Sequence, residues 1–170
     1  MATQPKARDG VTVVATNRKA RYDYEVIDTI EAGVALVGTE VKSLRAGQMV
    51  LKDAYARVEG GELWLLNAHI APYGQTDGFG GHDPERKRKL LAHRAEVDEL
   101  AERTQQQALT LVPLSVYFRD GRVKVELALA RGRRRYDKRH AIAERDAKRE
   151  AERAMAHRGR DSDGDRGRRR

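Results

Sequence analysis

Residues 111–130 constrain this chain more than any other stretch. Val112, Leu114, Val116 and Phe118 alternate with polar or smaller neighbours, Asp120-Gly121 intervenes, and Val123, Val125, Leu127 and Leu129 alternate in turn. Asp-Gly favours a two-residue type I′ turn, because both positions accept positive φ. Such a turn sets Phe118 against Val123, Val116 against Val125, Leu114 against Leu127 and Val112 against Leu129. Each apolar residue then meets an apolar partner on one face, and a slip of one residue would destroy the match. An antiparallel hairpin is therefore predicted over 111–130.

Two shorter hairpins are predicted ahead of it. One joins 55–59 to 62–66 through Gly60-Gly61, and the other joins 24–31 to 34–37 through Ala32-Gly33. Between them, 39–45 reads as a short helix with Thr39 as N-cap and Gly47 at its end. A longer helix is predicted over about 90–108, where Leu90, Leu91, Val97, Leu100, Ala101 and Ala108 fall near a 3.6-residue period. Short paired strands with a helix between them favour a mainly β fold. The expectation is an OB-type closed antiparallel β-barrel with a few flanking helices.

Charge divides the chain. Residues 131–170 hold 16 Lys/Arg against 8 Asp/Glu, whereas residues 1–130 hold 18 of each. A neutral body with a basic tail points to a polyanionic partner, nucleic acid first. The large apolar residues of the tail are Tyr136, Ile142 and Met155 only, too few to offset the entropy of ordering it. The tail is expected to be disordered when free and to order on a partner. The expected organisation is a flexible N-terminus over 1–10, an RNA-binding body over 11–130, a basic tail over 131–157 and a disordered basic end over 158–170. Without cysteine, the chain has no disulfide, thiolate metal site or cysteine nucleophile. Residues 1–10 are polar, and no apolar run reaches the roughly 20 residues of a membrane span. A soluble, cytoplasmic protein is expected, with no membrane partner.

Few residues suggest chemistry. The run Gly74-Gln-Thr-Asp-Gly-Phe-Gly-Gly81 lacks the spacing of a phosphate-binding loop and reads as a flexible connection. His69, His82, Asp83 and His93 fit no metal-ligand spacing. GxSxG and HExxH are both missing, so no enzyme, metal or cofactor is expected, and a nuclease with dispersed carboxylates is the remote alternative. Arg86-Lys-Arg-Lys89 reads equally as a solvated loop edge or an RNA contact. Arg131, Arg133, Arg134 and Arg135 with Tyr136 offer charge for phosphates and a ring for a base. Beyond them, alanines at 141, 143, 147, 151, 154 and 156 and the Glu144–Lys148 spacing favour a helix. Arg145, Arg149 and Arg153 repeat at i,i+4 and repel one another until a phosphate wall faces them.

Eight short motifs then occur in one order: Asn17-Arg-Lys-Ala20, Glu31-Ala-Gly33, Gly38-Thr-Glu-Val-Lys-Ser-Leu-Arg45, His69-Ile-Ala-Pro-Tyr73, Arg88-Lys-Leu-Leu-Ala-His93, Leu111-Val-Pro-Leu114, Tyr117-Phe118 with Gly121-Arg-Val-Lys124, and Asp137-Lys-Arg139. Over residues 11–155 the chain resembles the SsrA-binding protein (SmpB) family, bacterial partners of transfer-messenger RNA (tmRNA). The resemblance implies an OB-type barrel that binds the tRNA-like domain of tmRNA. It implies delivery of that RNA to stalled ribosomes for trans-translation and tagging of incomplete proteins. The tail would probe the empty mRNA channel beyond the decoding site of the small subunit. No DNA is expected among the partners. The alternative is a general RNA-binding OB-fold protein or a structural protein of the ribosome.

The same resemblance implies an RNA-facing body surface of Asn17, Lys19, Glu31, Lys42, Arg45, Lys89, His93 and Lys124. It implies a ribosomal role for tail residues Arg131, Gly132, Arg133, Arg134, Tyr136, Asp137, Lys138, Arg139, Arg145, Arg149 and Arg153. Glu31 would repel phosphate, so it is expected to accept hydrogen bonds from bases or to orient a neighbouring cation. Gly132 is expected to be a hinge and Asp137 a helix N-cap. Tyr136 stands where many members carry histidine, a change that keeps stacking and loses a titratable contact.

Overall fold

A computed structural model describes residues 10–74, 81–133 and 135–161. In chain order they form β1 (Val11–Thr16), α1 (Ala20–Asp23), β2 (Tyr24–Val34), α2 (Gly38–Arg45), β3 (Met49–Val50), β4 (Tyr55–Glu59), β5 (Glu62–Leu66), β6 (His69–Ile70), β7 (Arg88–Leu91), α3 (Arg94–Gln106), β8 (Thr110–Arg119), β9 (Arg122–Gly132) and α4 (Arg135–Asp161). The fold is mainly β with a few helices. It divides into two compact units, Met1–Gly132 and Arg133–Arg170. Seven strands pair in the order β1-β8-β4-β5-β7-β2-β9, and β9 pairs again with β8, while β3 and β6 form a separate pair.

The hairpin of β8 and β9 forms as its alternation dictates near the turn. Asp120 (φ 50°) and Gly121 (φ 73°) make that turn, and Phe118–Val123 and Val116–Val125 are cross-strand pairs. Further out the register departs from expectation. Leu127 pairs with Pro113 rather than Leu114, and Leu129 pairs with Leu111 rather than Val112. Leu114 falls at a bulge beside Pro113, which has no N–H to give the ladder. The Leu114 carbonyl accepts the Asn17 N–H at 2.8 Å, just beyond the Thr16–Ser115 pair of β1 and β8. The bulge lets the hairpin bury both faces. Leu111, Val116, Val125, Leu127 and Leu129 enter the main core, and Val112, Leu114, Ala128 and Ala130 pack with Ala20 in a second cluster.

Gly60 (φ 60°) and Gly61 (φ 74°) turn β4 into β5, with Tyr55–Leu66 through Glu59–Glu62 in register as expected. The hairpin expected about Ala32-Gly33 does not form. β2 runs straight through, pairing with β9 as far as Gly33–Lys124 and with β7 at Gly33–Leu91 and Val34–Leu90. Ala32 is fully buried there. Gly33 serves close approach rather than a turn, because a Cβ would lie 3.3 Å from Leu91 Cβ.

α2 begins two residues early, after Val37 rather than Thr39. The Val37 N–H donates to Glu40 Oε2 at 3.0 Å, so the acid three residues on supplies the cap. α3 is shorter than expected, because Leu90 and Leu91 belong to β7. The His93 N–H donates to Glu96 Oε2 at 2.9 Å and starts the helix at Arg94.

The root of the tail differs from expectation. Arg131 and Gly132 end β9 opposite Glu25 and Tyr24, instead of opening a tail. Arg135–Asp161 is a single helix of 27 residues, the form expected of the tail on its partner. Its reason is local, since alanine propensity supports it without a core, and residues 142–155 are exposed throughout. Asp137 lies in its first turn and is not its N-cap. Residues 158–161, expected in the disordered end, are helical. Residues 162–170, most of the expected N-terminal arm, most of the Gly74–Gly81 run, and Arg134 lie outside the described residues.

Candidate nucleic-acid interface

Alternation along β2, β8 and β9 sends Ala32, Val116, Val125 and Leu127 inward and their neighbours out. Glu31, Tyr117, Arg119 and Lys124 therefore meet on one outer face, with Tyr117 directly opposite Lys124. The Tyr117 hydroxyl donates a short hydrogen bond to Glu31. Arg119 Nη1 donates to Glu31 Oε2 at 2.6 Å, and Lys124 Nζ stands 4.0 Å from Glu31 Oε1. The Arg119 guanidinium also lies 5.4 Å from the Tyr117 ring centroid. Burial pushes the Tyr117 phenol well above its ordinary value, and the hydrogen bond and charge of Glu31 push it further. One carboxylate thus fastens a phenol and a guanidinium and draws in an ammonium. Cations held this way lose less side-chain freedom when they meet phosphate. Of the two roles expected for Glu31, the geometry is that of a residue orienting neighbouring cations.

The second basic element is α2, which presents Lys42 and Arg45 to solvent. Lys42 Nζ lies 5.6 Å over the Tyr73 ring. What fixes α2 is Glu40, whose side chain is fully buried. Arg86 grips it with two bonds, Nε to Oε1 at 2.8 Å and Nη2 to Oε2 at 2.7 Å. Arg88, also fully buried, donates Nε to Oε1 at 2.9 Å. Its remaining donors reach the carbonyls of Ala68, Arg86, Pro84 and Asp83. Burial pushes the Glu40 carboxyl up, but bonds from Arg86 and the Val37 N–H and the charge of Arg88 outweigh it and hold the group below its usual range. Burial likewise lowers Arg88, with Glu40 opposing.

Within the Arg86–Lys89 run, Arg86 and Lys87 stand at the loop edge before β7, and Arg88 and Lys89 begin the strand. Arg86 and Arg88 clamp α2 from within, and Lys87 and Lys89 face outward. Lys89 Nζ donates to Glu62 Oε1 at 2.6 Å.

The other expected RNA-facing residues scatter. The Asn17 side chain is buried, donating to Leu51 O at 3.1 Å and accepting from the Ala20 N–H at 3.1 Å, so its amide serves the fold. Lys19 is exposed, 3.9 Å from Asp23. His93 is exposed at the start of α3. A cleft of about 340 Å³ lies between α2 and the Glu31 face, lined by Leu36, Val41, Leu91, Val123 and Lys124 among others. It brings Lys124 toward α2. Tyr117 and Arg119 are not among the RNA-facing residues expected from the sequence, although their two-residue spacing on a strand with Lys124 across the turn places them together.

His82 is held internally, with Nδ1 3.0 Å from Thr39 Oγ1 and Nε2 3.0 Å from Ile70 O. Among the described residues no three His, Asp or Glu side chains gather as a metal site. On α4, Arg139, Arg145, Arg149 and Arg153 are exposed. Gly132 has ordinary backbone angles for a strand, and a Cβ there would meet nothing within 4 Å. Steric bulk is therefore no reason for that glycine.

Residues 14–157 match the family described as SmpB protein. The chain is 57% identical to the SsrA-binding protein of Frankia casuarinae over 150 residues, 88% of this chain and 93% of that one. It is 56% identical to the SsrA-binding protein of Thermobifida fusca over 149 residues, covering 88% and 92%. A solved structure described as "tmRNA-SmpB: a journey to the center of the bacterial ribosome" aligns with a TM-score of 0.60 at 51% identity, covering 75% of this chain and 93% of that one.

Proposed function

The chain belongs to the SmpB protein family, and from that premise we propose that it binds tmRNA and acts with it on the ribosome in trans-translation. What carries the reading is the match over 14–157, which takes in both the Glu31 face and most of α4. The body would hold the tRNA-like domain through Arg119 and Lys124, oriented by Glu31, and through Lys42 and Arg45 on the clamped helix α2. Lys19 and His93 extend that surface, and Asn17 supports it from inside. The tail, from Arg133 through Arg153, would lie in the empty mRNA channel of the small subunit, with Arg131 and Gly132 at its root on β9. There, rRNA phosphates would neutralise the Arg145, Arg149 and Arg153 row. Tyr136, Asp137 and Lys138 would act at its base near the decoding site.

The role is that of an adaptor without chemistry of its own. The pairings from β8 through β4, β5, β7, β2 and β9 back to β8 favour a closed OB-type barrel. No helix among the described residues is long and apolar enough to cross a membrane, in keeping with a protein of the cytoplasm.

The test compares affinity for tmRNA with that for an unrelated structured RNA of similar length, at two salt concentrations. A preference that persists at high salt supports the adaptor reading. Equal affinities that collapse together with salt mean counterion release alone, and a general RNA-binding protein. Deleting 133–170, a cut that spares β9, should leave tmRNA binding intact and abolish tagging on stalled ribosomes.

A further inference from the structure

The outward face of β4, β5 and β7 has no part in the surface just described. Trp64, the chain's single tryptophan, lies on β5 between the fully buried Leu63 and Leu65 and faces the other way, half-buried. Arg57 on β4 and Lys89 on β7 are its direct cross-strand neighbours. Lys87 places its Nζ 4.5 Å from the Trp64 ring centroid. Tyr55, two residues from Arg57, shares the face. Arg57 bonds Glu59 at 3.2 Å and Lys89 bonds Glu62 at 2.6 Å, so three cations stand against two carboxylates around two aromatic rings.

We propose that this face is a second RNA-docking platform, on which an unpaired base of ribosomal RNA stacks on Trp64 while Lys87, Lys89 and Arg57 take the flanking phosphates. An aromatic face accepts any base, and cations beside it hold the backbone that carries the base. Lys87 over the ring is a cation–π contact whose exchange for a base frees the ammonium for a phosphate. The pairing order argues for ribosomal RNA rather than tmRNA. β5 is three pairings from β9 in either direction, through β7 and β2 or through β4 and β8. An RNA domain seated on Glu31, Arg119 and Lys124 therefore leaves β5 uncovered. The inference rests on the adaptor reading, in which the body meets two different RNAs. It also moves Lys89 from the tmRNA surface to this one.

The experiment measures equilibrium binding of the full-length chain, free and with tmRNA, to stalled ribosomes, and separately its affinity for tmRNA. The variants are Trp64→Leu, which keeps apolar bulk, and Lys87→Gln, at an exposed position whose loss leaves packing intact. Ribosome affinity should fall about tenfold for Trp64→Leu and by a smaller factor for Lys87→Gln, with tmRNA affinity unchanged in both. Unchanged ribosome affinity in both would overturn the proposal and leave lysine stems covering a tryptophan. A fall in tmRNA affinity instead would overturn the choice of RNA. Should Trp64→Leu fail to fold, Lys87→Gln decides alone. The wild-type preference for tmRNA over a control RNA, measured alongside, tells failure of the adaptor reading apart from failure of the platform.

Discussion

Arg86–Lys89 and the arginines of α4 are both basic runs, yet they reach opposite states. Residues in and just before β7 alternate. Arg86 and Arg88 turn to the buried Glu40, while Lys87 and Lys89 turn outward. In α4 the i,i+4 repeat puts Arg145, Arg149 and Arg153 along one exposed line. The same density of positive charge is structural in the first region and presented to solvent in the second. The backbone period sorts the side chains, and a waiting carboxylate decides which of them stays inside. A buried guanidinium with no acid to meet it would not be tolerated.

That contrast can be broken most severely at Glu40. Glu40→Gln leaves Arg88 buried without its counter-charge, and chemical denaturation should show a loss of about 3–5 kcal/mol. The pH dependence follows. Glu40 is held below its unfolded value, so its stabilisation is complete above about pH 4.3 and is lost as the pH falls through the lower folded value. Denaturation midpoints of the wild type should drop in that acid window, and those of Glu40→Gln should drop less.

Next in size is Glu31→Gln, which releases Arg119 and Lys124. Affinity for tmRNA should weaken by about 1–3 kcal/mol. In the same variant the Tyr117 phenol should titrate nearer its ordinary value, followed by ultraviolet absorbance, while burial keeps part of the upward shift. Unchanged absorbance would mean that Glu31 does not govern the cluster.

Smaller still is Lys89→Ala. Its exposed pair with Glu62 is worth about 0–1 kcal/mol of stability, against the larger loss at Glu40. Replacing Arg145, Arg149 and Arg153 together by alanine should move the stability of the body by no more than about 0.5 kcal/mol. A large change there would erase the distinction between the two basic segments.

The sequence made legible what a local period controls. Asp120-Gly121 and Gly60-Gly61 announced their turns, because positive φ at two successive positions admits few residues. The pairs Phe118–Val123 and Val116–Val125 followed from counting outward. Counting failed at Leu114, where a bulge beside Pro113 shifts the register, and alternation alone does not mark a bulge. Ala32-Gly33 looked like a turn because glycine serves turns and close packing alike. Only the approach of Leu91 distinguishes the two. Leu90 and Leu91 fitted a helical period as well as a strand. The Glu40–Arg88 clamp joins residues 48 positions apart, a separation no local pattern reports. Glu31 was picked from the sequence with its partners unseen, since Tyr117 and Arg119 reach it only when β8 and β2 flank β9.

The root of the tail has a mechanical consequence. Gly132 is the last rung of a ladder in which β9 lies between β2 and β8, with Tyr24 opposite it. A pull on α4 along the strand axis would load the β2–β9 rungs in parallel, as shear. A pull across that axis would open them one after another from Gly132. The fold thus resists traction along one direction far better than along the other. A tail drawn lengthwise through a narrow passage would be anchored by the whole strand rather than by its final residue.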